Sequence, residues 1–192
     1  MSQLFLTSLE QQISLTDTEK EIVLSLFKPK TLRKRQFFLQ EGDVCKHSAF
    51  VLSGCLRSYF IDSNGFEHIL QFAIEDWWIT DMMSIITQNP SNLNIDALEE
   101  SELLVISREN QTELLERVPK IEKYFRIKSE NGLAHLQSRL LENLSLPAKD
   151  RYLNLLKKYP KIVERIPQKQ IASYLGITPE FLSKLRHQLV KV

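Results

Sequence analysis

Polar side chains that could bind a polyanion are concentrated in the segment from Gln168 to Leu189. Glu180 can accept a hydrogen bond from a cytosine amino group, and Lys184 can donate one to a guanine. Neighbouring hydroxyl, amide and cationic groups are suited to phosphate contacts. The predicted DNA-contacting residues are Gln168, Lys169, Thr178, Pro179, Glu180, Ser183, Lys184, Arg186 and His187.

The apolar residues of this segment predict two short helices joined by a tight turn. Ala172 is small where a second helix must cross closely, and Gly176 permits the left-handed conformation that ends the first helix. Thr178 is suited to cap the next helix, and Pro179 fits its first position. The pattern is typical of a helix-turn-helix whose recognition helix runs from Thr178 to about Leu189. A helix pair that contacts another protein is the alternative.

The charge of the chain is distributed unevenly, although its net value is only +1. The segment from Pro147 to Val192 holds ten Lys or Arg and three acidic residues. The remainder holds 15 basic and 21 acidic residues. A basic end on an acidic body predicts that the C-terminal part meets a polyanion.

Other chemistries find little support in the residue types. An iron–sulfur cluster needs about four cysteines, whereas the chain has Cys45 and Cys55, which we expect to be reduced. His68 or Cys45 could bind a haem, but a lone His on a strand is more often structural. His47 and His68 do not form the clustered ligand set of a metal enzyme on a β-roll. We therefore predict no catalytic residue, no metal, no cofactor and no enzymatic activity.

The N-terminal part predicts a helix followed by many short strands. Residues 3–29 form a helical pattern in which Thr16 and Glu19 make a capping box, and Pro29 ends it. From about Thr31 to Ile106, turn signals recur between apolar runs, as in a small sandwich or barrel, and Asn64-Gly65 marks a hairpin. Trp77 and Trp78 should point to opposite faces of an extended segment.

A long amphipathic helix is predicted for residues 119–146, and its apolar stripe needs a partner. The β domain of the same chain could cover the stripe. A second copy of the helix is favoured, because the chain offers little else to cover it. The predicted dimer-contacting residues are Phe125, Leu133, Leu136, Leu140 and Leu144.

These patterns together predict an α+β protein with three parts. Residues 1–118 form a sensor domain, residues 119–146 a dimerisation helix, and residues 147–192 a helix-turn-helix domain. No apolar run approaches the roughly 18 residues that span a membrane, and no secretory signal is visible. We therefore expect a cytoplasmic protein without a membrane partner.

The chain resembles the Crp/Fnr family, the regulators related to the cyclic-AMP receptor protein. The similarity runs nearly end to end, through Phe38-Leu-Gln-Glu-Gly-Asp, Phe50-Val-Leu-Ser-Gly, the Asn64-Gly65 hairpin, the long helix and the segment from Ile171 to Glu180. It implies an N-terminal double-stranded β-helix (β-roll) of the cyclic-nucleotide-binding type and a homodimer that reads a palindrome in double-stranded DNA. Glu180 matches the base-reading glutamate of the family. RNA polymerase and a small-molecule effector are further candidate partners.

The sequence departs from the family pattern at two places. The stretches that hold cyclic AMP in the family correspond to Thr80-Asp81-Met82 and Ser91-Asn92, so Asp81, Met82, Ser91 and Asn92 are the candidate effector pocket. No Arg or Lys lies between Arg57 and Arg108, which argues against binding a cyclic phosphate.

The second departure is at the end of the chain, because the sequence stops at Val192 without the usual β-hairpin wing. This shortened form resembles the Bacteroidetes branch of the family. The resulting hypothesis is a DNA-binding transcription regulator with a diverged effector pocket. The alternative is a ligand-binding or protein-interaction module whose C-terminal domain contacts a protein.

Overall fold

The computed structural model describes residues 2–160 and 162–190. Lys161 and Lys191, which contribute to the C-terminal positive charge, lie outside the described residues, as does Val192, on which the expected absence of a wing depends.

Two helices, and not one, open the chain. Helix α1 spans Gln3–Glu10 and helix α2 spans Asp17–Leu26. The predicted capping box explains the interruption: Thr16 Oγ1 accepts from the backbone N–H of Glu19, and the Glu19 carboxylate accepts from the backbone N–H of Thr16. The hydrogen bond from the Thr16 backbone, followed by that from Lys120, holds the pKa of Glu19 at about 2. The predicted continuous helix over residues 3–29 is therefore wrong.

Pro29 does not end a helix but lies inside the first strand. Strand β1, Lys28–Leu32, is at the edge of its sheet. An edge position tolerates proline, because the missing N–H of proline would otherwise interrupt the hydrogen-bond ladder. Helix α2 stops earlier, at Phe27, whose backbone is extended.

In the part of the chain that the structure describes, eight strands form two four-stranded sheets, as the alternation of short strands and turns predicted. Strand β8 pairs antiparallel with β1 and β3, and β7 pairs antiparallel with β2 and β4. The sheet orders are β1-β8-β3-β6 and β2-β7-β4-β5. After β1, the strands are β2 Phe37–Leu39, β3 His47–Ser53, β4 Leu56–Ile61, β5 Glu67–Ala73, β6 Trp78–Ile79, β7 Asn94–Ala97 and β8 Ser101–Ser107.

The adjacent tryptophans pack against different hydrophobic clusters, so they point in different directions, and both are packed within the chain. Trp77 packs against the buried residues of the two sheets, around Leu56 and Ile95. Trp78 packs against a second cluster that α1, α2 and the start of the long helix form around Phe5 and Phe50. The Trp78 indole N–H donates to the hydroxyl of Tyr124 at 3.0 Å, and this hydroxyl lies 3.2 Å from that of Ser8. Burial raises the pKa of Tyr124 to about 12.

Gly54, in the turn between β3 and β4, has a φ of +96°. A Cβ at this position would lie 2.6 Å from the carbonyl oxygen of Glu100. We expect Gly54→Ala to destabilise the protein by more than about 2 kcal/mol, because the left-handed conformation costs about 1–2 kcal/mol and the clash with backbone adds to it.

Gly65→Ala is the matched control, because Gly65 has a φ of +81° but nothing within 4 Å of the added Cβ. Its free energy of unfolding should fall only by the cost of the left-handed conformation, about 1–2 kcal/mol. Urea denaturation of both variants measures the difference. Equal losses would show that space at Gly54 is not limiting.

Helices follow and interrupt the sheets. Ser107 caps α4 by accepting from the backbone N–H of Asn110. Sequence analysis did not identify α3 or the short α7. The helices are α3 Met82–Thr87, α4 Arg108–Arg117, α5 Ile121–Ser145, α6 Ala148–Lys158, α7 Ile162–Arg165, α8 Gln168–Leu175 and α9 Pro179–Val190. Among the described residues, no helix is both long and apolar enough to cross a membrane.

The chain divides into two compact units. The first comprises Met1–Phe60 and Gln71–Glu130, and the second comprises Ile61–Leu70 and Asn131–Val192. The tip of the β4–β5 hairpin thus groups with the C-terminal helices, and the division falls within α5. The predicted three-part division of the chain stays a prediction.

Candidate nucleic-acid interface

Helices α8 and α9 are joined by the tight turn that the sequence predicted. Gly176 ends α8 in the left-handed conformation, with a φ of 65°. The backbone N–H of Ile177 donates back to the carbonyl of Ala172 at 3.0 Å. Thr178 caps α9 by accepting from the backbone N–H of Phe181 at 3.2 Å. The buried side chains that hold the pair together are Ile171, Ala172, Leu175, Leu182 and Leu185.

The predicted DNA-contacting residues lie at the surface of these two helices. Glu180, Lys184 and His187 follow one another at helical spacing, so they share one exposed face of α9. Within the described part of the chain, neither Lys169 nor Lys184 has an ion-pair partner, so both ammonium groups are available to a ligand. Gln168, Lys169, Thr178, Pro179 and Ser183 are exposed, and Arg186 is half-buried.

Two hydrogen bonds that the sequence did not predict fix the position of α8. The Ser173 hydroxyl donates to the carbonyl of Glu67 at 2.6 Å and accepts from the backbone N–H of Ile69 at 3.1 Å. Ser173 therefore binds the first residues of β5. No local sequence signal could reveal this contact, because 104 positions separate Ser173 from Ile69.

Arg139 joins three segments of the second unit. Its guanidinium donates to the carbonyls of Ile69 and Tyr174, both at 2.8 Å, and to the carbonyl of Leu70. It also stacks on the Tyr174 ring, 3.9 Å from the centroid. Burial lowers the pKa of Arg139, and burial likewise raises the pKa of Tyr174. The hairpin tip, α5 and the end of α8 are therefore held by one cation.

A row of exposed leucines runs along the C-terminal half of α5. Leu133, Leu136, Leu140 and Leu144 of the predicted stripe are between 57% and 78% exposed, and Leu141 extends the row at 65%. Phe125 differs from the other predicted positions, because it packs within its own chain against Trp78, with a centroid distance of 5.5 Å. The uncovered part of the stripe therefore begins at Leu133.

The predicted effector residues form a capping site at the start of α3. The Asp81 carboxylate accepts from the Ser91 hydroxyl at 2.6 Å and from the backbone N–H of Ser84 at 3.2 Å. The structure thus brings Asp81 and Ser91 together, both buried, whereas Met82 and Asn92 are exposed. Their role in binding an effector stays a prediction.

Arg57 is buried in a cross-strand pair with Asp96. Its Nε and Nη2 donate to the two carboxylate oxygens at 2.7 and 3.0 Å. Both side chains are 8% exposed. Cys45 and Cys55 are buried free thiols. The described residues contain no group of three or more His, Cys, Asp or Glu side chains that could hold a metal ion.

Comparison with known proteins identifies the N-terminal domain. Residues 29–118 match the family model of the cyclic nucleotide-binding domain. No curated protein matches the chain by sequence.

Solved structures extend the similarity over the remaining chain. The c-di-GMP-responsive global regulator CLP of Xanthomonas campestris has a TM-score of 0.75 at 17% identity, over 92% of this chain and 92% of that one. A protein from Eubacterium rectale assigned to the Crp/Fnr family has a TM-score of 0.69 at 17% identity, over 92% and 85%. The catabolite activator protein of Thermus thermophilus has a TM-score of 0.58 at 22% identity, over 96% and 87%.

The chain is thus an α+β protein with a cyclic-nucleotide-binding β-sandwich, a long helix and a C-terminal helical region. Its fold is similar to that of solved transcription regulators of the Crp/Fnr family. The family resemblance that the sequence indicated is confirmed at the level of the fold.

Proposed function

We propose that this protein is a cytoplasmic, homodimeric transcription regulator that reads a palindromic operator in double-stranded DNA. The observation that carries the proposal is the Thr178-capped helix α9, whose exposed face presents Glu180, Ser183, Lys184 and His187. The N-terminal residues of such a helix meet base edges in the major groove. The basic C-terminal segment supplies the charge that phosphate binding requires.

The leucine row on α5 (Leu133, Leu136, Leu140, Leu141 and Leu144) supports the homodimer. A single exposed leucine is ordinary, but a contiguous apolar row marks an interaction surface. A second copy of α5 would cover the row in a two-helix contact. Two recognition helices would then fit half-sites about one helical turn, near 34 Å, apart.

In this proposal, the effector pocket differs from the pocket that binds cyclic AMP in other members of the family. Residues 58–107 contain no Arg or Lys, and the Arg57 guanidinium already binds both oxygens of Asp96. A cyclic phosphate buried among these residues would lack its usual charge partner. In this proposal, an effector would act by shifting the population between relative orientations of the two helix-turn-helix domains of the dimer. RNA polymerase remains a candidate partner of the dimer on DNA.

Selection of DNA from a random pool, followed by fluorescence anisotropy at two salt concentrations, tests the proposal. Recovery of a two-fold palindrome bound in the nanomolar range supports it. The competing function is a module that contacts a protein, which the exposed Phe181, 49% accessible on α9, favours. If the protein is such a module, the selection should yield no consensus sequence. DNA affinity that falls steeply with salt would indicate phosphate contacts.

Substitutions on α8 and α9 should separate base recognition from phosphate binding. We expect Glu180→Ala to lose about 1–3 kcal/mol of discrimination at one base pair in each half-site, because its carboxylate reads a base. Lys169→Ala should weaken binding to every sequence alike and reduce the salt slope by about 1. Anisotropy on the operator and on single-base variants measures both effects.

Lys123→Ala is the charge-matched control for Lys169→Ala, because Lys123 is an exposed lysine of the first unit. It should change neither affinity nor salt slope. Unaltered sequence preference in Glu180→Ala together with unaltered affinity in Lys169→Ala would show that α9 is not the recognition helix.

A further inference from the structure

A groove of about 790 Å³ opens on the first unit, on the side where β1, β2 and the start of β3 meet. Sites for small molecules commonly have volumes of about 300–1,000 Å³. None of the predicted effector residues lines this groove. Its size and position therefore define a second candidate site, separate from Asp81 and Ser91.

Cationic side chains surround the groove. Lys28 and Lys30 alternate along β1, so both side chains project from the same face of that strand. Lys46 and His47 add to them from the start of β3. Within the described residues, none of the three lysines has a carboxylate within 4.0 Å. The positive charge of the groove is thus not neutralised by direct ion pairs.

The acidic groups near the groove do not cancel this charge. Asp43 is the acidic residue in the lining. Glu109 lies close enough to His47 to interact with it. A hydrogen bond with its own backbone N–H, followed by one with the Ser107 side chain, lowers the pKa of Glu109. Burial, followed by the charge of Lys30, lowers the pKa of His47, and Lys28 and Lys46 act in the same direction. Glu109 acts in the opposite direction, so three lysine charges and one carboxylate act on the imidazole.

Apolar side chains also line the groove. Phe37 is one of them, and it is 38% exposed although it lies in a strand. Phe38 also lines the groove, and Lys30 Nζ lies 5.2 Å from its ring centroid. Ser107 and Asn110, at the N-terminus of α4, supply polar groups at the site. Positive charge and an exposed aromatic ring in one concavity suit a ligand with an anionic head and an apolar body.

We infer that this groove binds a small organic anion, in which a carboxylate or phosphate contacts Lys28, Lys30 and Lys46 and an apolar body packs on Phe37. The site is independent of the proposed DNA contacts, and it would give the β domain a ligand without a cyclic phosphate.

Calorimetric titration of the full chain, in the absence of DNA, tests the site with phenyl phosphate, benzoate, inorganic phosphate and neutral benzyl alcohol. We expect saturable binding of phenyl phosphate or benzoate with a dissociation constant of about 1 mM or tighter. Inorganic phosphate should bind more weakly, and benzyl alcohol should not bind. The stronger of the two aryl anions indicates whether the natural head group is a phosphate or a carboxylate.

The double variant Lys30→Gln/Lys46→Gln should weaken aryl-anion binding at least about 10-fold, because each lysine contributes a charge-assisted hydrogen bond. Lys34→Gln/Lys123→Gln removes the same charge from exposed positions outside the groove and should leave binding unchanged. Phe37→Ala should weaken phenyl phosphate but not inorganic phosphate. Thermal unfolding confirms that each variant is folded.

Two results would overturn the inference. One is the absence of saturable binding of either aryl anion up to about 10 mM, well above the expected range. The other is equal weakening by the groove variant and the control variant, which would indicate non-specific attraction to net charge. Neither result bears on operator binding, so the site and the proposed function fail separately.

Discussion

Replacing Leu136 and Leu140 by glutamate is expected to convert the proposed dimer into a monomer. Burial of one leucine side chain contributes about 1.5–3 kcal/mol, and a dimer with both changes in each protomer loses four such contacts. Because Leu136 and Leu140 are 57% and 59% exposed, the four contacts lose at least about 3 kcal/mol, which corresponds to at least about 100-fold weaker association. Glutamate keeps good helix propensity, so α5 itself should remain folded.

Sedimentation across a concentration series measures the change, and anisotropy on the palindromic operator measures its consequence. A monomer binds only one half-site, so its affinity for the palindromic operator should fall by more than about 100-fold. Its affinity for DNA that contains a single half-site should be unaltered. Leu153→Glu is the control, because it makes the same Leu→Glu change at an exposed leucine of α6, outside the leucine row. If the double variant remains dimeric, the leucine row is not the dimer contact.

Asp96→Ala should be the most destabilising single substitution among the polar residues considered. Arg57 and Asp96 are directly opposed on β4 and β7 and are almost fully buried. Removal of the carboxylate leaves a guanidinium that cannot lose its proton at ordinary pH. Loss of one partner of a buried ion pair costs about 3–5 kcal/mol. Urea denaturation with circular dichroism measures this loss.

The matched control is Glu113→Ala, which removes a carboxylate from an exposed pair with Arg117 on α4. It should change stability by less than about 1 kcal/mol. Arg57→Leu/Asp96→Ala should recover part of the lost stability, because it leaves no unpaired charge in the sheet. A loss below about 1 kcal/mol in Asp96→Ala would mean that water or another group solvates Arg57.

The contacts of α8 connect these expectations to the proposed mechanism. Ser173 binds the backbone at the start of β5, and Arg139, which lies on the same helix as the leucine row, binds both β5 and the end of α8. The helix that would form the dimer thus also holds the helix that precedes α9. A change along α5 would reach α8, and through it the predicted recognition helix, in part through the Arg139 guanidinium.

Local chemistry allowed much of this structure to be predicted from the sequence. Thr16 and Thr178 can each satisfy an otherwise unpaired backbone N–H, so each sets the start of a helix. Gly176 allows the left-handed turn that a residue with a Cβ resists. The same local rules could not show that Pro29 lies in an edge strand, because a proline ends a helix and tolerates a sheet edge equally well.

The sequence by itself determined the run of short strands, the long helix, the α8–α9 pair and the exposed polar face of α9, because capping, turn formation and periodicity depend on residues within one or two turns. Only the tertiary structure decided that Arg57 pairs with Asp96, that Phe125 packs inward, and that lysines of β1 and β3 meet in one groove. These contacts join positions far apart in the chain, and a single sequence contains no local signal for their distances.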